Sequence, residues 1–281
     1  MKKIKIILRF FFFLKEINIG FSRGSISAIS RNIKESNPLT WEFSAFSQNG
    51  EDGILDYLVN RLKDSDKRFI EIGTSNGLAN NSAYFALVKK FNGIMIEGNK
   101  LHSKFTSIIY NIFNKGVVSF NSFVTNENIN DLLKISPSMT PDIFALDIDG
   151  NDYHLTSTIL SNGFRPKIFL VEYNSNFGPE LSVTIPYTSN FDYSLAHKTR
   201  LYYGVSISAW RNLFDKFGYK FLTVESNGIN AFFILPEAFP CDFLDGIESV
   251  MFLDNKIESQ LFNMGWEQRY KLISDMPLME V

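Results

Sequence analysis

The sequence predicts an α/β protein with a Rossmann-like, seven-stranded sheet that is mostly parallel and has helices on both faces. Five short segments that are apolar throughout alternate with segments of helical periodicity, which is typical of buried parallel strands joined by crossover helices. Two further apolar segments flank Ser226-Asn227-Gly228, a strong hairpin signal. The sheet is therefore expected to end in a C-terminal antiparallel hairpin.

The order of elements follows from these segments and from residues that start and stop helices. The predicted strands span residues 69–72, 93–97, 117–120, 142–147, 167–171, 221–224 and 229–234. Apolar residues at helical spacing predict helices at residues 54–62, 79–90, 101–113, 126–133, 152–160 and 206–217. Asn162-Gly163 is typical of a left-handed helix end, and Ser206 of a helix N-cap. The long aperiodic segment 175–203 is predicted to be a functional or flexible loop.

Three parts of the chain are expected. Residues 1–40 form a basic, apolar extension and a linker, 41–240 the α/β domain, and 241–281 a C-terminal extension. The first 15 residues combine cations with apolar side chains, but Arg9 and Lys15 interrupt a run that is too short to span a bilayer. We expect this segment to lie on a membrane surface or to dock on the domain. A cleaved signal peptide is the alternative, although no small-residue cleavage site follows.

Composition narrows the class of protein. With 281 residues, 45% hydrophobic and 21% charged, the chain suits a soluble globular fold with a substantial core. A formal net charge of -2 argues against nucleic acid as a partner, which usually requires a basic face. The single cysteine, Cys241, excludes an intramolecular disulfide and favours a reducing compartment. We expect a cytoplasmic protein with peripheral contact at the inner face of the cytoplasmic membrane through residues 1–15.

The glycine turn Glu71-Ile72-Gly73-Thr74-Ser75-Asn76-Gly77 follows the first predicted strand. Such a turn lets the backbone approach a ligand, and the helix that follows offers free N–H groups to a nucleotide-like molecule. Many α/β proteins make the same turn for packing alone. The spacing is wider than the GxGxxG of nicotinamide and flavin folds, which favours a nucleoside with a neutral or cationic tail. Glu71 would complement a cation there.

Ligands of open α/β sheets bind beyond the carboxyl ends of the strands, so the residues that follow each strand are informative. Nearly every strand is followed by polar or acidic residues, namely Glu71, Glu97, Asn121, Asp147, Asp149, Glu172 and Asn174. Glu97, after the second strand, can accept both hydroxyl groups of a ribose. An exposed loop acid is the alternative interpretation.

Three motifs in this order resemble the class I S-adenosylmethionine (SAM)-dependent methyltransferases, and more narrowly FkbM-like methyltransferases. They are Phe69-Ile70-Glu71-Ile72-Gly73-Thr74-Ser75-Asn76-Gly77, Ile96-Glu97-Gly98 and Leu146-Asp147-Ile148-Asp149-Gly150-Asn151-Asp152. Further segments resemble a bacterial subgroup, namely 46–52, 171–174, 202–204 and 226–233. The resemblance covers residues 46–234 and makes 41–240 the methyltransferase domain.

This resemblance implies that S-adenosyl-L-methionine is the cofactor and that the reaction is O-methylation. The acceptor would be a small molecule or a sugar hydroxyl of a surface glycan or its precursor. The implied cofactor-binding residues are Glu71, Gly73, Thr74, Asn76, Gly77, Glu97, Asn121, Ser122 and Asp147. Asn121, Ser122 or Phe123 would lie near the adenine, and Asp147 would face the methionine moiety or the substrate. Ser47-Gln48 would close over the cofactor.

An oxygen acceptor must lose its proton to a base or to a metal-bound group, which gives two arrangements. In the first, Asp147 or Asp149 binds Mg²⁺ or another divalent cation together with Glu172 and Asn174, an oxygen-ligand set that Mg²⁺ prefers. Metal-dependent O-methyltransferases resemble this set, but here Tyr173 separates the last two residues.

In the second arrangement a histidine is the base. His154 follows the predicted turn at Asp149, and His197 lies in the 175–203 loop, whereas His102 is expected on the surface. The catalytic candidates are thus Asp147, Asp149, His154 and His197, and the 175–203 loop is expected to recognise the acceptor.

Two other functions are compatible with such a sheet. An NAD(P)-dependent oxidoreductase is one, although GxGxxG and Tyr-x-x-x-Lys motifs are absent. A non-catalytic scaffold with a methyltransferase-like fold is the other, and the acids at the strand ends count against it.

Overall fold

The computed structural model describes residues 2–281, apart from the side chains of residues 2–13 and of Ala28. Its strands are β1 Arg68–Ile72, β2 Asn92–Glu97, β3 Val117–Asn121, β4 Ile143–Leu146, β5 Ile168–Glu172, β6 Val183–Thr184, β7 Lys220–Val224, β8 Asn230–Ile234 and β9 Met279–Glu280. Seven of them form one sheet in the order β3-β2-β1-β4-β5-β8-β7. In this sheet β8 alone runs antiparallel to the other six strands, so the predicted fold class and the C-terminal hairpin are confirmed. β6 and β9 form a small second sheet that the sequence did not predict.

Helices cover both faces of the main sheet. They are α1 Lys2–Ser30, α2 Glu51–Val59, α3 Ala83–Leu87, α4 Lys100–Phe113, α5 Ile129–Leu133, α6 Asp152–Ser161, α7 Tyr193–Ala196, α8 Ile207–Lys216, α9 Lys256–Phe262 and α10 Trp266–Lys271, with 3-10 turns at Pro38–Trp41, Ser175–Phe177 and Pro236–Ala238. Alternate strand residues enter two separate apolar clusters. Phe69 packs with α2, α3 and α4 on one face, whereas Ile70 packs with α5, α6 and α8 on the other.

The helix predicted at residues 79–90 is shorter in the structure and begins at Ala83. Polar side chains take up the backbone N–H groups of the preceding residues. Asn76 Oδ1 accepts from Leu78 N and Ala79 N, at 2.9 and 3.0 Å. Asn80 Oδ1 accepts from Ser82 N and Ala83 N, at 3.2 and 2.8 Å. Asparagine bonded locally in this way competes with the helix, which explains the late start.

The Ser, Asn and Gly content of residues 20–40 predicts that the linker lies there, but helix α1 continues to Ser30, so this prediction was wrong over its first half. The reason is tertiary packing. Ile17 is buried, the Phe21 ring packs edge-on against Phe46, and Gly20 leaves room for the same ring. Among the described residues, no helix is long and apolar enough to cross a membrane. Met1 and the side chains of residues 2–13 lie outside the described part, so the membrane contact of residues 1–15 stays a prediction.

The C-terminal extension packs on the 175–203 loop. Ile273 joins Phe177 and Leu201 in a third apolar cluster. Arg269 is fully buried there, donates from Nε to Asn176 Oδ1 at 2.6 Å, and is paired with Asp254 and Glu258. The loop is therefore held in place by residues that follow the α/β domain in the chain.

Arg269→Met is expected to lower the free energy of unfolding by about 3 kcal/mol, because it leaves partly buried carboxylates without a cation. Urea denaturation followed by circular dichroism measures this. Lys134→Met is the control, since the Lys134–Asp131 pair is 76% and 77% exposed and should change stability by less than about 0.5 kcal/mol. Equal effects of the two substitutions would contradict a structural role for Arg269.

Candidate functional site

Two adjoining cavities open at the carboxyl-end edge of the parallel strands. The first, about 580 Å³, lies beyond the ends of β1, β2, β3 and β4, with Phe191 and Tyr193 of the 175–203 loop on its wall. The second, about 300 Å³, lies beyond β1, β4 and β5 and beside the start of β8. The two share four lining residues, which are Gly73, Ser75, Asp147 and Asp149. They therefore form one continuous cleft, at the position where the strand-end rule places a ligand.

Gly73 sets the boundary between the cavities. Its φ is +90°, and a Cβ at this position would lie 1.7 Å from the carbonyl oxygen of Asp147. The turn after β1 therefore passes directly against the end of β4, which only glycine permits. Gly77, also at positive φ, has a comparable contact, because its Cβ would lie 2.5 Å from Thr106 Oγ1. Both glycines therefore determine the shape of the turn.

Glu71 lies beneath this turn with its side chain buried. Its carboxylate accepts from Asn81 N and Ser82 N, each at 2.9 Å, and from the Ser82 hydroxyl. Burial raises the pKa of Glu71 to about 7, although these hydrogen bonds oppose the shift. Glu71 thus supports the turn and also lines the second cavity.

Of the cofactor residues predicted after β2 and β3, some line the first cavity and one supports its wall. Glu97 and Ser122 line the first cavity, together with Phe123 and Val124. Asn121 instead braces the wall, because its Nδ2 donates to the carbonyl oxygens of Glu97 and Gly98 at 2.8 and 2.9 Å.

Thr74, Asn76 and Gly77 belong to the turn but line neither cavity. Ser75, which was not predicted, lines both of them. It has a left-handed φ of 48°. The pattern of residue types did not single it out.

Three carboxylates meet where the cavities join. Asp147, Asp149 and Glu172 each offer an oxygen, and these atoms lie within 4.8 Å of one another. Burial and the neighbouring carboxylates raise the pKa values of Asp147 and Glu172 well above their ordinary range. The pKa of Asp149 is raised to about 6, chiefly by burial and then by Asp152 and Asp192. Such a group can accept a proton or share a cation.

Asn174, the third predicted metal ligand, is not part of this cluster. Its Nδ2 donates to the carbonyl oxygens of Leu201 and Tyr203, and its Oδ1 accepts from Asn176 N and Asn176 Nδ2. The Asn174 amide instead holds the chain that follows β5, and the carboxylate cluster consists of Asp147, Asp149 and Glu172.

The two histidine candidates each form a hydrogen bond with a residue of the 175–203 loop. His154 Nε2 lies 2.9 Å from Ile185 O, and His197 Nδ1 lies 2.8 Å from Thr199 Oγ1. Neither lines the two cavities, whereas His102, expected on the surface, lines the first. The best-placed candidates for the general base are therefore the three carboxylates, Asp147, Asp149 and Glu172.

The segment Ser44–Asp52 forms part of the second cavity wall through a turn built around Asp52. Asp52 Oδ2 accepts from the backbone N–H groups of Ala45, Phe46 and Ser47, at 2.8, 2.7 and 3.0 Å. This turn brings Gln48 and Glu51 to the same cavity as Asn230. Sequence reasoning grouped these residues with motifs of the family but gave only Ser47-Gln48 a role.

Comparison with known proteins gives structural neighbours but no family. No family model and no curated protein matches the sequence. An O-methyltransferase from Bacillus cereus in complex with SAH has a TM-score of 0.43 and 11% identity, covering 77% of this chain and 89% of that chain. A SAM-dependent methyltransferase from Aquifex aeolicus has a TM-score of 0.42 and 10% identity, covering 66% and 90%.

A third neighbour is the N-terminal domain of EvdMO1 in the presence of SAH and D-fucose, with a TM-score of 0.42 and 9% identity over 66% of this chain and 81% of that chain. Two of these three structural neighbours are described as methyltransferases, and two were solved with SAH. With such low identities and TM-scores below 0.5, the similarities assign neither a family nor an activity to the chain.

Proposed function

We propose that this protein is a SAM-dependent O-methyltransferase. One observation carries the proposal: a cavity with a strand-end acid suited to a ribose opens, at Gly73 and Asp147, onto a second cavity with a carboxylate cluster. A volume of about 580 Å³ is in the range of sites for small molecules and cofactors.

The first cavity fits the nucleoside end of SAM. Glu97 accepts one hydrogen bond, from Asn99 N at 2.7 Å, and a carboxylate has capacity for further donors such as the two ribose hydroxyls. The adenine would lie against Ser122, Phe123 and Val124. The methionine tail would then pass Gly73, which places the cationic sulfonium near Asp147 and Asp149.

Methyl transfer from a sulfonium is an in-line displacement, so the chain has to align the acceptor and receive its proton. Asp147, Asp149 and Glu172 lie where the acceptor would meet the methyl group, and Asp149 is proposed to receive the proton. The same three carboxylates fit a divalent cation such as Mg²⁺, because their oxygen atoms lie close enough together to bind a single ion. When bound, such an ion would lower the pKa of the acceptor hydroxyl.

A sugar hydroxyl of a surface glycan or its precursor is the proposed acceptor, on the strength of the FkbM-like motifs in the sequence. Peripheral membrane contact through residues 1–15 belongs to the same proposal, since it would place the enzyme where such glycans are assembled.

Isothermal calorimetry with SAM tests the cofactor assignment. Glu97→Ala is expected to weaken binding roughly 10- to 100-fold, the cost of losing charge-assisted hydrogen bonds to the ribose. Asp131→Ala, an exposed acid outside both cavities, should bind SAM like the wild type. If the wild type does not bind SAM, or Glu97→Ala binds it equally well, the assignment fails.

A separate fluorescence titration with NADPH addresses the oxidoreductase alternative, since a rise in cofactor fluorescence on adding protein would favour it. SAM binding without methyl transfer to any acceptor would favour the non-catalytic scaffold.

A further inference from the structure

The second cavity has a wall that the 175–203 loop does not supply. The residues Gln48, Asn49 and Glu51 face it from the N-terminal side, and Ile229 and Asn230 from the hairpin. Hydrogen bonds join these two segments: Asn230 Nδ2 donates to Glu51 Oε1 at 2.6 Å, and Asn227 Nδ2 donates to Asn49 Oδ1 at 3.2 Å. The hairpin turn and the start of α2 therefore form one continuous wall.

The charge of this cavity has a single sign. Its carboxylates are Glu51, Glu71, Asp147, Asp149 and Glu172. Among the described residues, no lysine, arginine or histidine lines it. With no cation on the cluster, a phosphate or carboxylate that entered would meet like charge in a partly desolvated space, whereas a neutral or cationic group would not.

The wall also contains a buried atom without a partner. Asn230 is 4% exposed, and its Oδ1 accepts no hydrogen bond. Its Nδ2 is committed to Glu51, which fixes the orientation of the amide. Of the buried side-chain polar atoms of described residues on this cavity wall, Asn230 Oδ1 alone lacks a partner. An unpaired buried acceptor is costly unless a ligand donates to it.

Building on the proposed methyltransferase function, we propose that the second cavity is the acceptor site and takes a hydroxyl-rich group without negative charge, a neutral or amino sugar. An O–H or N–H of that group donates to Asn230 Oδ1. The two cavities meet at Gly73, Asp147 and Asp149, so a sugar oxygen in the second can reach the methyl group of SAM bound in the first.

In the reaction the bond between methyl carbon and sulfur breaks as the bond from sugar oxygen to carbon forms. The electron pair of the broken bond stays on sulfur and gives S-adenosylhomocysteine. The hydroxyl proton passes to a carboxylate of the cluster.

A panel of methyl glycosides tests the inference. Gluco, galacto and manno sugars, each as the neutral, 2-amino and uronic acid form, are incubated with the full chain and methyl-labelled SAM. Label is expected in neutral or amino sugars at least about 10-fold faster than in the matching uronic acid, since one unfavourable charge contact is worth about that factor. Equal or faster labelling of the uronic acids overturns the inference, as does no labelling by protein that binds SAM. Failure to bind SAM would instead overturn the proposed function.

Two substitutions in the hairpin separate recognition from folding. Asn230→Ala is expected to raise the KM for the best-labelled glycoside about 10-fold, the cost of one buried hydrogen bond, with the Kd for S-adenosylhomocysteine unchanged. Asn227→Ala is the control, because Asn227 joins the same two segments but does not line the cavity, and its KM should stay within about threefold of the wild type. An unchanged KM for Asn230→Ala, or equal effects of the two, overturns a contact with the sugar. If Asn230→Ala does not fold, the panel of glycosides with the wild-type protein still tests whether the acceptor is a neutral or amino sugar.

Discussion

Gly73→Ala is expected to abolish measurable SAM binding and to lower the free energy of unfolding by about 2 kcal/mol or more. A Cβ at this position would lie 1.7 Å from Asp147 O, so the turn after β1 must move away from the end of β4. The backbone also has a φ of +90°, which an L-residue with a side chain adopts only at a cost. Because Gly73 lines both cavities, the movement would displace their shared wall. Calorimetry with SAM and urea denaturation measure the two effects.

Gly163→Ala is the matched control. Gly163 has a φ of +81°, but nothing lies within 4 Å of the Cβ that the substitution adds. This variant should therefore lose only about 1 kcal/mol from the backbone strain and bind SAM like the wild type. SAM binding by Gly73→Ala at wild-type affinity would contradict the placement of the cofactor along this turn.

The sheet and part of the site could be predicted because both depend on local patterns. A buried strand can be recognised from its sequence because it is apolar throughout. Parallel strands then bring their carboxyl ends to one edge of the sheet. Asp147 and Glu172 end neighbouring strands, β4 and β5, so their proximity follows from the strand order alone. The glycine turn could also be identified from a local pattern, because glycine is the residue that most readily adopts a positive φ.

The second cavity could not be predicted, because long-range contacts form it. Glu51 and Asn230 are 179 residues apart in the chain, and no local pattern pairs them. The side chain of Asn174 presents the same difficulty, since a strand pattern ends before Asn174 and says nothing of the bonds it makes with Leu201 and Tyr203. Helix α1 shows a further limit, because Ser and Gly near its end predicted a linker and packing on Phe46 overrode that preference.

Asp149→Asn is expected to lower kcat/KM for methyl transfer at least about 100-fold and to raise the Kd for SAM by less than about tenfold, the cost of losing one charge near the sulfonium. Asn keeps the size of the side chain but can neither accept the acceptor's proton nor contribute charge to a cation. Asp149 has a left-handed φ of 54°, a conformation that Asn tolerates, so the substitution should not disturb the turn. Initial rates with labelled SAM, with and without EDTA, give the measurement.

The pH dependence distinguishes Asp149 from a residue that merely shapes the site. Its pKa is raised to about 6, and the group must be deprotonated to act. The wild-type kcat/KM should therefore rise with pH up to about 6, level off above it, and fall about tenfold per unit below it. Asp192 is one of the acids that raise this pKa, and it lines neither cavity. Asp192→Asn removes that negative charge, so it should move the acid limb to lower pH with the plateau rate retained.

Adding EDTA distinguishes the two mechanisms by which the carboxylate cluster can act. If EDTA abolishes transfer and Mg²⁺ restores it, Asp147, Asp149 and Glu172 act through a cation; an unchanged rate means that a carboxylate takes the proton directly. An Asp149→Asn variant with wild-type kcat/KM, or an acid limb that Asp192→Asn does not move, would contradict the role of Asp149 in either case. The base would then have to be sought outside the three carboxylates, and His102 is the histidine that the described part of the first cavity wall offers.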